Sequence, residues 1–191
     1  MHKDNGLYCK LNNTTATERW LEDFDLNVKR VLIGKDECND NWSMAVSFFH
    51  GAESLRKFVL QQSGYDLFRR EYPMMFLYRH SIELFLKHAL MDTFRSHNLK
   101  ILLDKLVHQI KEKYKIDVSE SWFANEIREL SNVDPTAQGF RYSHNINGDQ
   151  ALASNYFVDL EDLGKRMQSL YSIFLQISLA RGDFSDKGNG T

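Results

Sequence analysis

The chain has few of the residues that mark several common protein classes. It has only two cysteines, Cys9 and Cys38, which lie far apart without a partnering motif. A disulfide framework is therefore excluded, and a cysteine metal site is not expected. Two prolines and ten glycines are too few for a β-sandwich, which needs a turn signal about every ten residues.

Long apolar runs and an excess of one charge are also missing. No apolar run approaches the roughly 18 residues of a membrane-spanning helix, and residues 1–6 lack the layout of a signal peptide. Lys plus Arg number 24 against 26 Asp plus Glu, a formal net charge of −2. No global field therefore draws the chain to DNA or anionic lipid. We expect a soluble, cytoplasmic protein with no membrane partner and only local contact with any nucleic acid.

The residues that are abundant favour a helical core. Hydrophobic residues make up 42% of the 191 residues and aromatic residues 13%, enough for one folded domain. Apolar residues recur at steps of three and four, which is typical of amphipathic helices. We therefore predict an all-α fold, an up-and-down bundle of four to five helices with a short hairpin or ordered loop before the last long helix.

The predicted helices follow one another with short links. A short helix is expected within residues 17–33, and long helices from 42 to a stop at 63–64, from 73 through 96, and from 99 to 114. A shorter helix runs from 122 to the break at Asp134-Pro135, and the last long helix begins at Asp159. Between them, Asn147-Gly148 predicts the hairpin or ordered loop. The organisation is thus an N-terminal extension over 1–40, a bundle over 41–182 and a disordered tail over 183–191.

The helix predicted from residue 73 carries the first candidate site. Its apolar side chains nearly encircle it, while Arg79, His80, Glu83 and Lys87 lie within roughly 100° of arc. The i,i+4 spacing of Arg79, Glu83 and Lys87 favours a ladder of ion pairs on an exposed strip. The alternative is that the strip lines a cleft or a dimer interface, where Arg79 holds an anion and Glu83 orients it.

The histidines and the known catalytic motifs give little support to metal or cofactor chemistry. His80 and His88 are eight residues apart, and no H-E-x-x-H is present. His97 lies at a helix junction, where capping or packing is favoured over catalysis. The chain also lacks the G-x-S-x-G, Walker A and G-x-G-x-x-G signatures. We expect no metal and no cofactor.

The second candidate site is the segment 140–144, in which Arg141 lies between Phe140 and Tyr142 and is followed by His144. Such residues can stack on a base, bind a phosphate or take part in general acid–base chemistry. In the alternative interpretation, Phe140 and Tyr142 plug the end of the bundle, while Arg141 and His144 face water or pair with Glu83.

Three motifs follow one another along the chain: residues 78–87 with the charged strip, then His97-Asn98-Leu99, then Asp134 with Phe140-Arg141-Tyr142. This order, over roughly residues 42–180, resembles the HEPN-like superfamily of prokaryotic helical domains. The resemblance implies a bundle of four or five helices, a homodimer, and a place in toxin–antitoxin, phage-defence or RNA-processing systems. Some members of the superfamily are metal-independent ribonucleases, and others are binding modules.

The chain departs from the superfamily at its catalytic motif. The ribonucleases carry an arginine followed after four to six residues by a histidine, and no arginine here has a histidine at that spacing. Arg141 and His144 are only three residues apart, and the family's Arg-Tyr-Pro reads Arg141-Tyr142-Ser143. We therefore expect a noncatalytic binding or regulatory module that recognises RNA, a nucleotide or a protein partner such as a cognate effector. The expected binding residues are Arg79, His80, Glu83, Lys87, His97, Arg141 and Tyr142.

Two alternatives stay open. In the first, the protein is an unconventional metal-independent ribonuclease, in which Arg141 stabilises phosphate charge and His144 or His80 moves the proton. In the second, it is a structural homodimeric scaffold.

Overall fold

The computed structural model describes residues 40–61, 70–91, 95–145 and 147–183. Five α-helices lie in these ranges: α1 (Asn41–Leu60), α2 (Glu71–Ala89), α3 (Leu99–Tyr114), α4 (Trp122–Val133) and α5 (Leu160–Arg181). The same ranges contain no β-strand, and consecutive helices pack on one another as a bundle. The all-α prediction is confirmed. The short helix predicted within 17–33, both cysteines and residues 184–191 lie outside the described residues.

Side-chain caps start four of these helices. The side chains of Asp40, Asn98, Ser121 and Asp159 each accept a hydrogen bond from a backbone N–H in the first turn of the helix that follows. These caps satisfy N–H groups that have no partner within the helix. Helix α2 starts differently, with Pro73 in its first turn, where the missing N–H has no consequence.

Helix α2 ends earlier than the sequence predicts. The expected helix ran through residue 96, whereas α2 ends at Ala89 and Met91 has a left-handed backbone with φ of 59°. The Nη1 group of Arg181, at the end of α5, donates to the carbonyl oxygens of His88 and Ala89 at 2.7 and 3.0 Å. A distant side chain thus satisfies the last carbonyls of the helix. Periodicity along the chain contains no sign of this contact.

A loop joins α4 to α5. Within it, His144 and Gln150 form an isolated antiparallel bridge, and Gly148 has a positive φ of 86°. Such a backbone favours glycine, which agrees with the turn predicted at Asn147-Gly148. Of the two predicted alternatives, a hairpin or an ordered loop, the described residues of this segment form the ordered loop. No helix in the described part of the chain is long and apolar enough to cross a membrane.

Helix α2 lies at the centre of the bundle and contacts α1, α3 and α5. Its buried apolar residues are Met74, Tyr78, Ile82, Leu84, Phe85, Leu86 and Ala89, as the nearly encircling apolar pattern predicts. Aromatic rings fill the space towards α1 and α5. The ring of Phe85 stacks on that of Phe174 at 5.2 Å between centroids, and that of Phe49 stacks on Tyr171 at 4.9 Å. The first contact joins α2 to α5, and the second joins α1 to α5.

A polar cluster of Glu53, Arg56 and Tyr78 ties α1 to α2 and α5. Arg56 makes two hydrogen bonds to the carboxylate of Glu53 and one to the carbonyl of Leu160. The Tyr78 hydroxyl donates to the same carboxylate, and burial together with this carboxylate raises the pKa of Tyr78. A Cβ at Gly164 would lie 2.3 Å from Cζ of Arg56, so a side chain there would displace the Arg56 guanidinium from these hydrogen bonds.

Candidate functional site

Arg79 is buried in the polar side of α2, with 2% of its surface exposed. Its Nη1 donates to Glu83 at 3.2 Å and its Nη2 to the carbonyl of His97 at 2.9 Å. Its Nε donates to the carbonyl of Asp134 at 3.2 Å and lies 3.3 Å from the Asp134 carboxylate. Burial lowers the pKa of Arg79, and the charges of Asp134 and Glu83 act in the opposite direction. Each guanidinium nitrogen therefore has an acceptor inside the fold.

Glu83 connects this buried arginine to the surface. Its Oε2 accepts from Arg79, while its Oε1 accepts from Nζ of Lys87 and pairs with Nδ1 of His97, both at 2.8 Å. Burial alone would raise the pKa of Glu83, but the hydrogen bonds and charges of Lys87 and His97 outweigh it, and the pKa lies below its usual value. The carboxylate is therefore ionised at neutral pH.

Asp134 fixes the turn that leads to the second candidate segment. It is 1% exposed, and its Oδ1 accepts from the backbone N–H groups of Gln138 and Gly139, both at 3.0 Å. The turn continues into Arg141, whose Nε donates to the carbonyl of Ala137 at 2.6 Å. Asp134 thus joins the buried end of the Arg79 network to the loop that carries Arg141.

The prediction of an exposed ladder on α2 is wrong. Arg79 and Glu83 are 2% and 1% exposed, because the segment 95–98 and the turn at 134–139 cover them. Arg79 has the i,i+4 partner that the spacing predicts, but its remaining acceptors come from elsewhere in the chain. It positions the surrounding backbone and does not face solvent.

The groups that reach the surface around this network are the basic side chains of Lys87, His97 and Arg141. The side chain of His97 is 70% exposed, and that of Lys87 is 13% exposed. Arg141 is exposed, and among the described residues its Nη groups have no hydrogen-bond partner. Lys87 and His97 therefore lie at the outer edge of the buried network, and Arg141 lies on the exposed loop that follows Asp134.

Aromatic rings lie beside these cations. The guanidinium of Arg141 lies 5.8 Å from the ring centre of Phe76 and 5.5 Å from that of Tyr142. The ring of Phe76 is nearly parallel to His80, at 5.6 Å and 10°, and Phe48 meets His80 edge-on at 4.5 Å. We call Phe48, Phe76, His80, Arg141 and Tyr142 the aromatic platform. Burial lowers the pKa of His80 and outweighs the opposing charge of Glu83, and the charges of Lys87, Arg79 and Arg141 add to the lowering, so its ring is neutral at pH 7.

The two candidate segments of the sequence therefore meet in one place. The guanidinium of Arg141, on the loop, lies over the ring of Phe76 on α2, and the charge of Arg141 lowers the pKa of both Arg79 and His80. The predicted residues form two neighbouring groups. The buried network contains Arg79, Glu83, Lys87 and His97, and the aromatic platform contains His80, Arg141 and Tyr142. Phe140 is buried and Tyr142 is 57% exposed, so only the first of these rings plugs the bundle. Within the ranges described, Arg141 and Glu83 form no ion pair.

His144 lies apart from this arrangement. Its Nδ1 contacts the hydroxyl of Ser143 at 3.0 Å, and its backbone bridges to Gln150. Across the described ranges, no hydrogen bond or ion pair joins it to Arg141. In the described residues, carboxylates contact His88, which pairs with Asp183 at 3.1 Å, and His97, which pairs with Glu83. Of these two histidines, His97 is the one among the predicted binding residues.

Three participants, Phe48, Phe76 and Asp134, were not singled out as site residues from the sequence. Phe76 follows the apolar pattern of α2 and has no feature that separates it from core residues. Asp134 appeared as part of a helix-ending Asp-Pro pair and in the third motif, and this motif was the available signal for its importance.

Searches of protein-family models, curated proteins and solved structures find no match. Among the residues described, no cluster of His, Cys, Asp or Glu is suited to hold a metal ion.

The lowered pKa of Glu83 leads to a prediction about acid. A carboxylate whose pKa is lower in the folded state stabilises the fold above its unfolded pKa of about 4.5, and this contribution is lost as the pH falls through the folded value. We expect Glu83→Gln to reduce the free energy of unfolding at pH 7 and to differ less from wild type at pH 3. Urea titrations at both pH values measure this. The matched control is Glu129→Gln, at a side chain that is 73% exposed. A Glu83→Gln deficit as large at pH 3 as at pH 7 would contradict the prediction.

Proposed function

We propose that this protein is a noncatalytic, HEPN-like RNA-binding module that recognises single-stranded RNA through the aromatic platform and the adjoining cations. The observation that carries the proposal is the position of the Arg141 guanidinium over the ring of Phe76, which itself stacks on the ring of His80. Single-stranded RNA is recognised by stacking of unpaired bases on aromatic rings and guanidinium planes, with cations along the backbone. The platform offers both kinds of contact.

The charge of the site supports the same proposal. Arg79 and Lys87 are compensated by Glu83 and Asp134, so the permanent charge left for a ligand is that of Arg141. The chain as a whole has a net charge of −2, and attraction to a polyanion must therefore be local. A short cationic region beside aromatic rings fits a short single-stranded segment better than a duplex, which needs a long basic surface.

Binding is tested by fluorescence anisotropy with an internally labelled single-stranded RNA of mixed sequence. We expect Arg141→Ala and Tyr142→Ala each to weaken binding by about tenfold, the usual contribution of one stacked base. Lys113 and Tyr114 provide a matched control, since they form another exposed cation–aromatic pair at 5.1 Å, at the far end of α3. That end lies about 24 Å from the start of the helix.

Lys113→Ala and Tyr114→Ala are expected to bind as wild type does. Circular dichroism melts show whether each variant is folded. Binding that is absent in wild type, or that falls equally in all four variants, would refute the proposal.

Cleavage is the second candidate, and one observation favours it. The Nδ1 of His97 is oriented by a buried carboxylate, which leaves Nε2 on the exposed edge of the ring, as in histidines that act as general bases. Incubation of labelled RNA in EDTA, read on a gel, separates the two functions. We expect intact RNA with wild type. Cleavage that persists in EDTA and is lost in Arg141→Ala or His97→Ala would replace the binding module with a metal-independent ribonuclease.

A further inference from the structure

We infer that Arg141 recognises guanine, so that the aromatic platform selects single-stranded RNA with a guanine at the position that stacks beside this arginine. The inference rests on the proposed function, because it names the base that the same site takes. The ligand chemistry is a base edge with two neighbouring hydrogen-bond acceptors, which guanine provides as N7 and O6.

The guanidinium of Arg141 is held at one edge and available at the other. Its Nε donates to the carbonyl of Ala137 at 2.6 Å. The side chain is exposed, and its two Nη groups have no hydrogen-bond partner among the described residues. These donors lie side by side in the planar fork with which arginine binds two acceptors at once.

The turn before Arg141 keeps that carbonyl in place. Ala137 has a left-handed backbone with φ of 61°, a conformation that is uncommon for residues with a Cβ and persists where the surrounding structure requires it. The carboxylate of Asp134 accepts from the N–H groups of Gln138 and Gly139, the two residues that follow Ala137. The guanidinium is thus positioned before a ligand arrives, and a donor held in place loses less conformational entropy on binding.

The ring beside Arg141 brings a base to the same place. The guanidinium lies 5.5 Å from the ring centre of Tyr142, which is 57% exposed. A base that stacks on this ring has one edge next to the Nη groups. Guanine presents two acceptors there, whereas adenine presents the N7 acceptor beside the N6 donor. The two donors of Arg141 therefore match guanine and are opposed by adenine.

The charge around Arg141 favours a base over a phosphate as its partner. Arg141 provides the permanent positive charge left for a ligand in this region, because two buried carboxylates balance the neighbouring cations. One cation gives little attraction to a polyanion, whose binding depends on the number of phosphates that are neutralised. Contacts to phosphate fix the position of a strand, whereas contacts to base edges select its sequence. A single arginine held beside an exposed ring suits the second task.

The test measures fluorescence anisotropy with labelled oligouridylates of one length. Each carries one central guanosine, adenosine, cytidine or 7-deazaguanosine, and the last of these lacks the N7 acceptor. We expect wild type to bind the guanosine RNA about tenfold more tightly than the adenosine and cytidine RNAs, the size of one bidentate contact. The 7-deazaguanosine RNA is expected to lose most of this gain.

Two variants of Arg141 show whether the arginine fork is responsible. Arg141→Lys keeps the charge without the fork, and Arg141→Ala removes both. We expect each variant to bind the guanosine and adenosine RNAs with equal affinity. Lys113→Ala, at the exposed cation beside Tyr114, is the matched control and keeps the guanosine preference. Circular dichroism melts show whether each variant is folded.

The outcomes separate the two proposals. Equal affinity of wild type for all four RNAs, with the loss in Arg141→Ala and Tyr142→Ala retained, would overturn guanine recognition and leave the RNA-binding module standing. A guanosine preference that persists in Arg141→Ala, or that 7-deazaguanosine keeps in full, would also overturn it, as would tighter binding to another base. Absence of binding to all four RNAs would refute both.

Discussion

Arg79→Ala is expected to lower the free energy of unfolding by about 3–5 kcal/mol, the usual cost of removing one partner of a buried ion pair. Without the guanidinium, the carboxylate of Asp134 loses its cationic partner in a site that is 1% exposed. Glu83 keeps Lys87 but loses its second cation. The carbonyl oxygens of His97 and Asp134 also lose their donor, and buried acceptors without donors are costly.

The matched control is Arg166→Ala. Arg166 lies among three carboxylates, but its side chain is 41% exposed, and exposed ion pairs contribute about 1 kcal/mol or less. Urea unfolding followed by circular dichroism measures both variants. A loss for Arg79→Ala no larger than that for Arg166→Ala would show that the network is not needed to hold the segments around it.

Asp134→Ala is the second change with a large expected effect, a loss of about 3 kcal/mol or more. It removes a partner of Arg79 and also the acceptor for the N–H groups of Gln138 and Gly139. Because that turn leads directly to Arg141, we expect Asp134→Ala to weaken RNA binding as well. The loss of affinity should appear even below the melting temperature of the variant.

Asp134→Asn separates the two roles of this side chain. Asparagine keeps an oxygen for the turn but not the charge that pairs with Arg79, so we expect a smaller loss of stability and near-normal RNA affinity. Asp104→Ala, at an exposed position of α3, controls for the loss of a carboxylate elsewhere. Asp134→Ala that binds RNA as wild type does would show that the turn does not position Arg141.

Much of the fold follows from local pattern. The stripe of Leu99, Leu102, Leu103 and Leu106 predicts α3, and all four residues are buried. The cap residue Asp159 was likewise recognisable from the sequence, since capping depends on neighbours within one turn. The end of α2 was not, because Arg181 reaches it from 93 residues away.

The sequence likewise predicts some contacts of the candidate site and not others. The i,i+4 spacing on α2 predicts the contacts of Glu83 with Arg79 and Lys87, and both are present. Spacing says nothing about which side of a helix becomes covered. The burial of Arg79 depends on His97 and Asp134, which belong to other segments. The contact of Arg141 with Phe76 is equally long-range, and neither residue has a periodic signal that predicts it.

The position of Asp134 in the chain has a consequence for folding during synthesis. Arg79 has one acceptor four residues away in Glu83, but Asp134 is 55 residues downstream. A ribosome that adds about 5–20 residues per second needs roughly 3–11 s to reach it. In that interval α1 and α2 can pair through their apolar faces, while the guanidinium of Arg79 stays in water. Closure of the charged side of α2 is therefore a late step, which waits until α4 has been synthesised.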